Sequence, residues 1–123
     1  MHALETSRLL TEEYTAKILL ATMGKPKSAF ELSNKLNIPI AACYRKIRVL
    51  EQAGLIVCEE RKLTQQGKRM SFYRSRVLNA QIIFEKNKIR ARLQMIDGTV
   101  EDYNYDVESS FIPEALPVGL VRA

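Results

Sequence analysis

Arg45 and Arg48 lie three residues apart in a stretch whose apolar residues have helical spacing, so both project from one side of a helix. Six more cations follow at 61–76: Arg61, Lys62, Lys68, Arg69, Arg74 and Arg76, with no acidic residue among them. A guanidinium fork matches paired acceptors on guanine or phosphate, and clustered lysines add a sequence-independent attraction to polyanions. The chemistry such residues could do is nucleic-acid binding; a solvated surface with surplus cations is the bland alternative. Charge position favours the first. The whole chain of 123 residues carries a formal +5, but residues 1–96 hold 18 Lys and Arg against 8 Asp and Glu, a surplus of +10. Residues 97–123 set Arg122 against six carboxylates, a balance of −5.

Other chemistries find few residues to work with. Cys43 and Cys58 stand fifteen positions apart and His2 is the one histidine, too few ligands for a zinc finger, a metal-dependent hydrolase or a disulfide scaffold. Cys43 falls on an apolar helix stripe and Cys58 in a strand-like run, so both read as structural thiols, with a redox switch the lesser reading. The chain has no glycine-rich phosphate loop and no serine nucleophile partnered by a histidine. Its late carboxylates lack the spacing of a calcium loop. No enzyme, cofactor or metal is therefore expected. The most apolar early stretch, 16–23, contains Lys17 and lacks both the length of a membrane span and the layout of a signal peptide, so a cytoplasmic chain without a membrane partner is expected. At this length one domain can bury an adequate core unaided.

The cations must be positioned by a small set of elements. Residues 1–10 read as an arm or a short leading helix. Thr11 suits an N-cap, with Glu12 and Glu13 at the positive end of the following helix. In that helix Tyr14, Ile18 and Ala21 form a stripe, while Leu19 and Leu20 fall on other sides and ask for cover from two directions. Gly24 and Pro26 end it. Ser28-Ala29-Phe30-Glu31 is a capping box that opens a second helix, with Ala29, Leu32 and Leu36 as its apolar stripe. Asn37-Ile38-Pro39 makes a tight turn into a third helix at about 39–53, closed by Gly54. Cys43, Ile47 and Leu50 share its inner face, and Ala41, Arg45, Arg48 and Gln52 its outer one. Runs at 55–58 and 70–73, separated by Gln65-Gln66-Gly67-Lys68, predict a hairpin with a cationic tip. The expected fold is α+β: a winged helix-turn-helix of three helices plus a hairpin wing, followed by a second hairpin.

The run 27–56, KSAFELSNKLNIPIAACYRKIRVLEQAGLI, resembles the winged helix-turn-helix transcription regulators of the ArsR/MarR-like type, archaeal ones especially. The spacing agrees without a gap from the capping box through Tyr44-Arg45 and Leu50-Glu51 to Ala53-Gly54-Leu55-Ile56, and the likeness extends over about 12–76. One departure is that metal-sensing members carry paired cysteines near this helix, where Cys43 stands alone. The resemblance implies that helix 39–53 enters the major groove of double-stranded DNA and that the wing at 61–69 rests on backbone or minor groove. Arg45 is then the candidate for base readout, with Ala41 allowing close approach and Ile40 and Ala42 in the same first turn. Tyr44 and Arg48 are expected to hold phosphates, as are Lys62, Lys68 and Arg69 on the wing.

Beyond the wing, a strand reading of 78–96 sorts the side chains better than a helix. With Lys86-Asn87 as a two-residue loop, Phe84 faces Ile89, Ile82 faces Ala91 and Ala80 faces Leu93 on one side. Glu85 faces Lys88, Ile83 faces Arg90 and Gln81 faces Arg92 on the other. Alternation of Tyr103, Tyr105 and Val107 with Asp102, Asn104 and Asp106 suggests one more strand. The chain thus divides into a DNA-binding portion at 1–77, an extension at 78–108 that offers a dimerisation element, and a tail at 109–123. One reading is a homodimeric, sequence-specific DNA-binding regulator; the alternative is a winged-helix protein-interaction module in a larger assembly. An acidic C-terminal segment folding over the basic face is a further expectation. The sequence does not identify a small-molecule effector.

Overall fold

The computed structural model describes residues 2–108, which form four helices and two small antiparallel sheets in one α+β arrangement. Helix α1 (Ala3–Thr11) leads into α2 (Glu13–Thr22), a two-residue strand β1 (Lys27–Ser28), α3 (Ala29–Leu36) and α4 (Ile40–Gln52). Strands β2 (Ile56–Leu63) and β3 (Arg69–Ser75) follow, then β4 (Val77–Glu85), β5 (Lys88–Met95) and β6 (Val100–Asp106). The first sheet has the order β1-β3-β2 and the second β4-β5-β6.

Residues 3–11 form a helix, the second of the two readings open to the leading segment, so four helices stand where the three of a winged helix-turn-helix were expected. Thr11 closes α1 instead of capping α2: its hydroxyl donates to the Ser7 carbonyl at 2.6 Å, and Glu12 takes the N-cap position without a side-chain bond. The Thr15 hydroxyl bridges the junction, donating to the carbonyls of Leu9 and Glu12. The capping box of α3 is present from both sides, with the Glu31 amide donating to Ser28 Oγ and the Ser28 amide to Glu31. Helix α4 ends in a Schellman motif: Gly54 adopts φ +76°, its amide bonds the Glu51 carbonyl and the Leu55 amide bonds that of Leu50. Leu50 and Leu55 are both buried, so the same turn that ends the helix starts the chain into β2.

One buried cluster joins the helices to both sheets. Ile18, Leu32, Ile47 and Leu50 are fully buried between α2, α3 and α4, each side chain stabilising the fold by about 1.5–3 kcal/mol. Val77, Ile89, Ala91, Leu93 and Met95 continue that cluster under the second sheet. Helix α1 packs on β5 and β6 and supplies the cover that the one-sided strands require. Leu19 goes inward with Ile18, but Leu20 stays 67% exposed, so α2 is covered on fewer sides than its composition asks.

The β4/β5 register agrees with the expected pairs, from Ala80 opposite Leu93 to Glu85 opposite Lys88. Asn87 takes a positive φ of 65° in the two-residue loop, a conformation asparagine tolerates. Pairing of β5 with β6 enlarges the hairpin into a three-stranded sheet. The strands of the first hairpin run longer than the apolar runs at 55–58 and 70–73, because the ladder continues through charged residues to Leu63 opposite Arg69. Residues 109–123, the tail, lie outside the described residues, as does any contact they make.

Candidate nucleic-acid interface

The candidate site is built on α4, whose orientation is set by its junction with α3. Asn37 leaves α3 in the left-handed conformation (φ 55°, ψ 48°), and Ile38 plugs into the core at the turn. Ser33 holds the turn from both sides: its carbonyl accepts from the Ile38 amide at 3.1 Å and its hydroxyl donates to the Ile38 carbonyl at 2.5 Å. Lower down, the Cys43 thiol donates to the Ala29 carbonyl at 3.5 Å. Burial pushes that thiol up from its ordinary value and keeps it protonated, a packing role. The pair α3–α4 is therefore fixed by polar bonds and a buried stripe of Cys43, Ile47 and Leu50.

That inner stripe turns Ile40, Ala41, Tyr44, Arg45 and Arg48 outward, all exposed. Ala42 is a correction to the expected set. At 7% exposure it packs inward with Cys43, because residues 42, 43 and 47 share the side facing the core, and it offers no side chain to a ligand. Arg45 and Arg48 make no ion pair among the described residues, whereas Lys46 between them is held by Glu12 at 2.8 Å. Arg45 borders a shallow depression with Glu12, Glu13 and Tyr14 at the start of α2. Glu13 in turn is engaged by Lys17 at 2.8 Å, which lowers its carboxyl from the ordinary value through hydrogen bonding and charge.

The hairpin β2/β3 carries the second group of cations. Its tip closes at 64–68, where the Thr64 amide donates to the Lys68 carbonyl at 2.7 Å and the Lys68 amide to Thr64 Oγ1 at 3.1 Å. Lys68 and Arg69 are exposed at this tip with no side-chain partner among the described residues. Lys62 is not placed with them. The register sets Leu63 against Arg69 and Lys62 against Met70, so strand alternation turns Lys62 and Arg69 to opposite faces. Lys62 lies 5.1 Å from the Phe72 ring centroid and 3.4 Å from Glu60, which partly occupies its charge.

Arg61 pairs across from Ser71 and shares the face of Arg69, exposed and without an ion pair among the described residues. It is the residue that sequence reasoning left out of the site, although counting pairs back from the Gly67 tip would have placed it beside Arg69. Two other cations of the run serve the fold. Arg74 meets Glu59 at 3.5 Å, and the Arg76 guanidinium donates to the Gly54 carbonyl at 2.9 Å, tying the end of α4 to the end of β3.

The second sheet shows where another part of the surplus charge goes. Lys88 and Arg90 meet Glu85 at 3.5 and 3.6 Å, and Asp102 on β6 approaches Arg90 at 3.6 Å and Arg92 at 4.0 Å. Asp102 of β6 thus answers two cations of β5, strand against strand, while Glu101 accepts from the Tyr103 hydroxyl on its own strand. Among the described residues no group of His, Cys, Asp and Glu could hold a metal ion, and no helix is long and apolar enough to cross a membrane.

Exposed guanidinium groups on a rigid helix, with a cationic hairpin tip in the same unit, form an arrangement able to bind a phosphate backbone and present donors to base edges. No curated protein matches the chain. Residues 10–59, from the end of α1 through α2, the α3–turn–α4 pair and the first strand residues of β2, match the family model described as a helix-turn-helix domain, which supports a helix-turn-helix DNA-binding domain in this part of the chain.

Proposed function

We propose that the chain is a sequence-specific, double-stranded DNA-binding transcription regulator that acts as a homodimer. The observation that carries the reading is the free pair Arg45 and Arg48 on the exposed face of α4, held in place by the Ser33-stapled turn. In this reading α4 enters the major groove, Arg45 reads guanine O6 and N7, and Ile40 and Ala41 allow close approach. Tyr44 and Arg48 flank the groove on phosphates. Lys68, Arg69 and Arg61 at the hairpin tip contact backbone or minor groove, with Lys62 a weaker contributor from the other face. The order α2, β1, α3, α4, β2, β3 supports a winged-helix arrangement with this hairpin as the wing. The finer assignment to ArsR/MarR-like regulators of archaeal type rests on the resemblance of 27–56. Residues up to 77 serve as the reader, and 78–108 as the element that brings two copies together.

The test is a footprint on the DNA upstream of the chain's own gene, with competitor DNA and a salt series. A protected pseudo-palindrome with half-sites about one helical turn apart is expected. Arg45→Ala should lose about 1–3 kcal/mol of discrimination at one base pair per half-site. No footprint, together with a protein partner that survives nuclease treatment, would replace this reading with that of a protein-interaction module.

A further inference from the structure

Among the described residues, strand β4 differs from the other sheet edges, of which the two-residue β1 carries Lys27. The edge strand β2 carries Glu59, Glu60, Arg61 and Lys62, and the edge strand β6 carries Glu101, Asp102 and Asp106; charges of this kind keep a strand edge from pairing with another chain. Residues 77–84 of β4 contain no charge and no proline, and the strand forms the free edge of its sheet. Its core-side residues Ala80, Ile82 and Phe84 pair with buried Leu93, Ala91 and Ile89, yet α1 packs on β5 and β6, and Phe84 remains 81% exposed. Beside the start of β4 runs a groove of about 460 Å³ shared with α2, lined by Ala16, Leu20, Met23, Leu78, Ala80 and Ile82 among others and by no charged residue. Leu20 and Leu78 stand 67% and 53% exposed at its rim.

We infer that β4 and the adjoining α2 groove form a self-association surface whose occupant is a second copy of this chain, joined edge to edge through β4. Three observations select that occupant. An isologous contact sets each surface against its own copy, so in a chain with a +10 surplus over residues 1–96 it is free of Coulomb repulsion only where the surface is uncharged. Residues 77–84 and the groove meet that condition, and Glu85 at the end of the strand is held by Lys88 and Arg90. An antiparallel edge is also self-complementary, because a two-fold axis beside β4 lets its free N–H and C=O groups satisfy those of the partner strand, making a six-stranded sheet. Finally, Leu20, Leu78 and Phe84 alone expose on the order of 400 Å² of apolar side chain, about half of the ~800 Å² that a standard interface takes from each partner.

The assignment deepens the two-copy part of the proposed function and is tested without DNA, so its outcome is independent of DNA binding. Sedimentation of the full chain over a concentration series should show a monomer–dimer equilibrium. Leu20→Glu and Leu78→Glu should each weaken it at least about tenfold, since two carboxylates would be buried against an apolar copy of the same patch. Both positions are exposed, so circular dichroism and the melting curve should hold. In the unmodified chain, amide exchange at 77–85 should slow as concentration rises, a readout that needs no variant. A dimer that resists both glutamates and leaves β4 exchange unchanged would overturn the surface while leaving the homodimer standing. A chain that stays monomeric would overturn both. A monomer that dimerises once residues 109–123 are removed would show that the chain's own C-terminus occupies the groove, and would overturn the assignment as well.

Discussion

The two three-stranded antiparallel sheets are both rich in cations, yet the first leaves several of them unpaired among the described residues while the second pairs those of its central strand. In the first, Arg61, Lys68 and Arg69 stand at or near the tip of a hairpin with no carboxylate in ion-pair range among the described residues. In the second, Lys88, Arg90 and Arg92 on β5 face Glu85 and Asp102 on the strands either side. A count of basic residues therefore overstates the surface available to a polyanion. What matters is whether a neighbouring strand brings a carboxylate within a few ångströms, since a paired charge contributes little to counterion release.

The largest effect that could break this comparison concerns whether the two regions are one folding unit. Leu50→Ala, under α4, and Leu93→Ala, under the second sheet, should each destabilise by about 2–5 kcal/mol. Because both residues belong to one buried cluster, each should shift a single cooperative urea transition; two separate transitions would show that the regions fold independently.

Salt dependence sharpens the contrast directly. Lys68→Ala or Arg69→Ala should weaken binding to all DNA sequences and reduce the slope of log affinity against log salt by about one unit per lost phosphate contact. Arg92→Ala should leave the slope unchanged, and Lys62→Ala should lie between, given its contacts with Glu60 and Phe72. Equal slopes for Arg69→Ala and Arg92→Ala would erase the distinction between the sheets. A smaller change in the opposite direction is expected from Asp102→Asn, which releases Arg92 and half-releases Arg90. Low-salt affinity for random DNA should then rise, with the slope steeper by less than about one unit.

The smallest effect is in the alkaline limb of stability. Burial, with help from Glu101, raises the Tyr103 hydroxyl from 10.0 to about 12. The unfolded chain therefore loses that proton near pH 10 while the folded chain keeps it, so the contribution is complete below pH 10 and is lost as pH rises towards 12. Burial also raises Tyr73 on the first sheet, in the same direction. Urea melts should fall less steeply over that window in Tyr103→Phe than in the unmodified chain, and an identical fall would exclude Tyr103 as a source.

Much of the fold is legible where local chemistry and periodicity agree. The capping box opens α3, the Cys43, Ile47 and Leu50 stripe and Gly54 mark the inner face and the end of α4, and a two-residue loop at Lys86-Asn87 pins the pairs of β4 with β5 from Glu85–Lys88 back to Asn79–Gln94, where a bulge shifts the register before Val77–Met95. Helix α1 is less legible because part of its inner face is Thr6, buried with its hydroxyl on the His2 carbonyl at 2.9 Å. Thr15 and Thr22 on α2 behave the same way, so polar letters occupy core positions that an apolar stripe cannot reveal. In the candidate site, composition finds the cations but misjudges their company: Ala42 turns inward, Lys62 faces away from Arg69, and Arg76 is consumed by the Gly54 carbonyl.

By itself, the sequence determined the order of α2, α3, α4 and the hairpin strands, the outward face of α4 and the pairing register of β4 and β5 from Asn79 to the loop. These follow from short-range rules, namely caps, turns and the 3.6- and 2-residue periods, each of which acts within a few residues. Only the tertiary structure decided which cations are free, because ion pairing depends on distances between strands that are remote in the chain, as when Asp102 meets Arg90 and Arg92. It likewise decided which apolar faces stay uncovered. Helix α1 lies across β5 and β6 and leaves β4 as an open edge, a consequence of packing that no local pattern encodes.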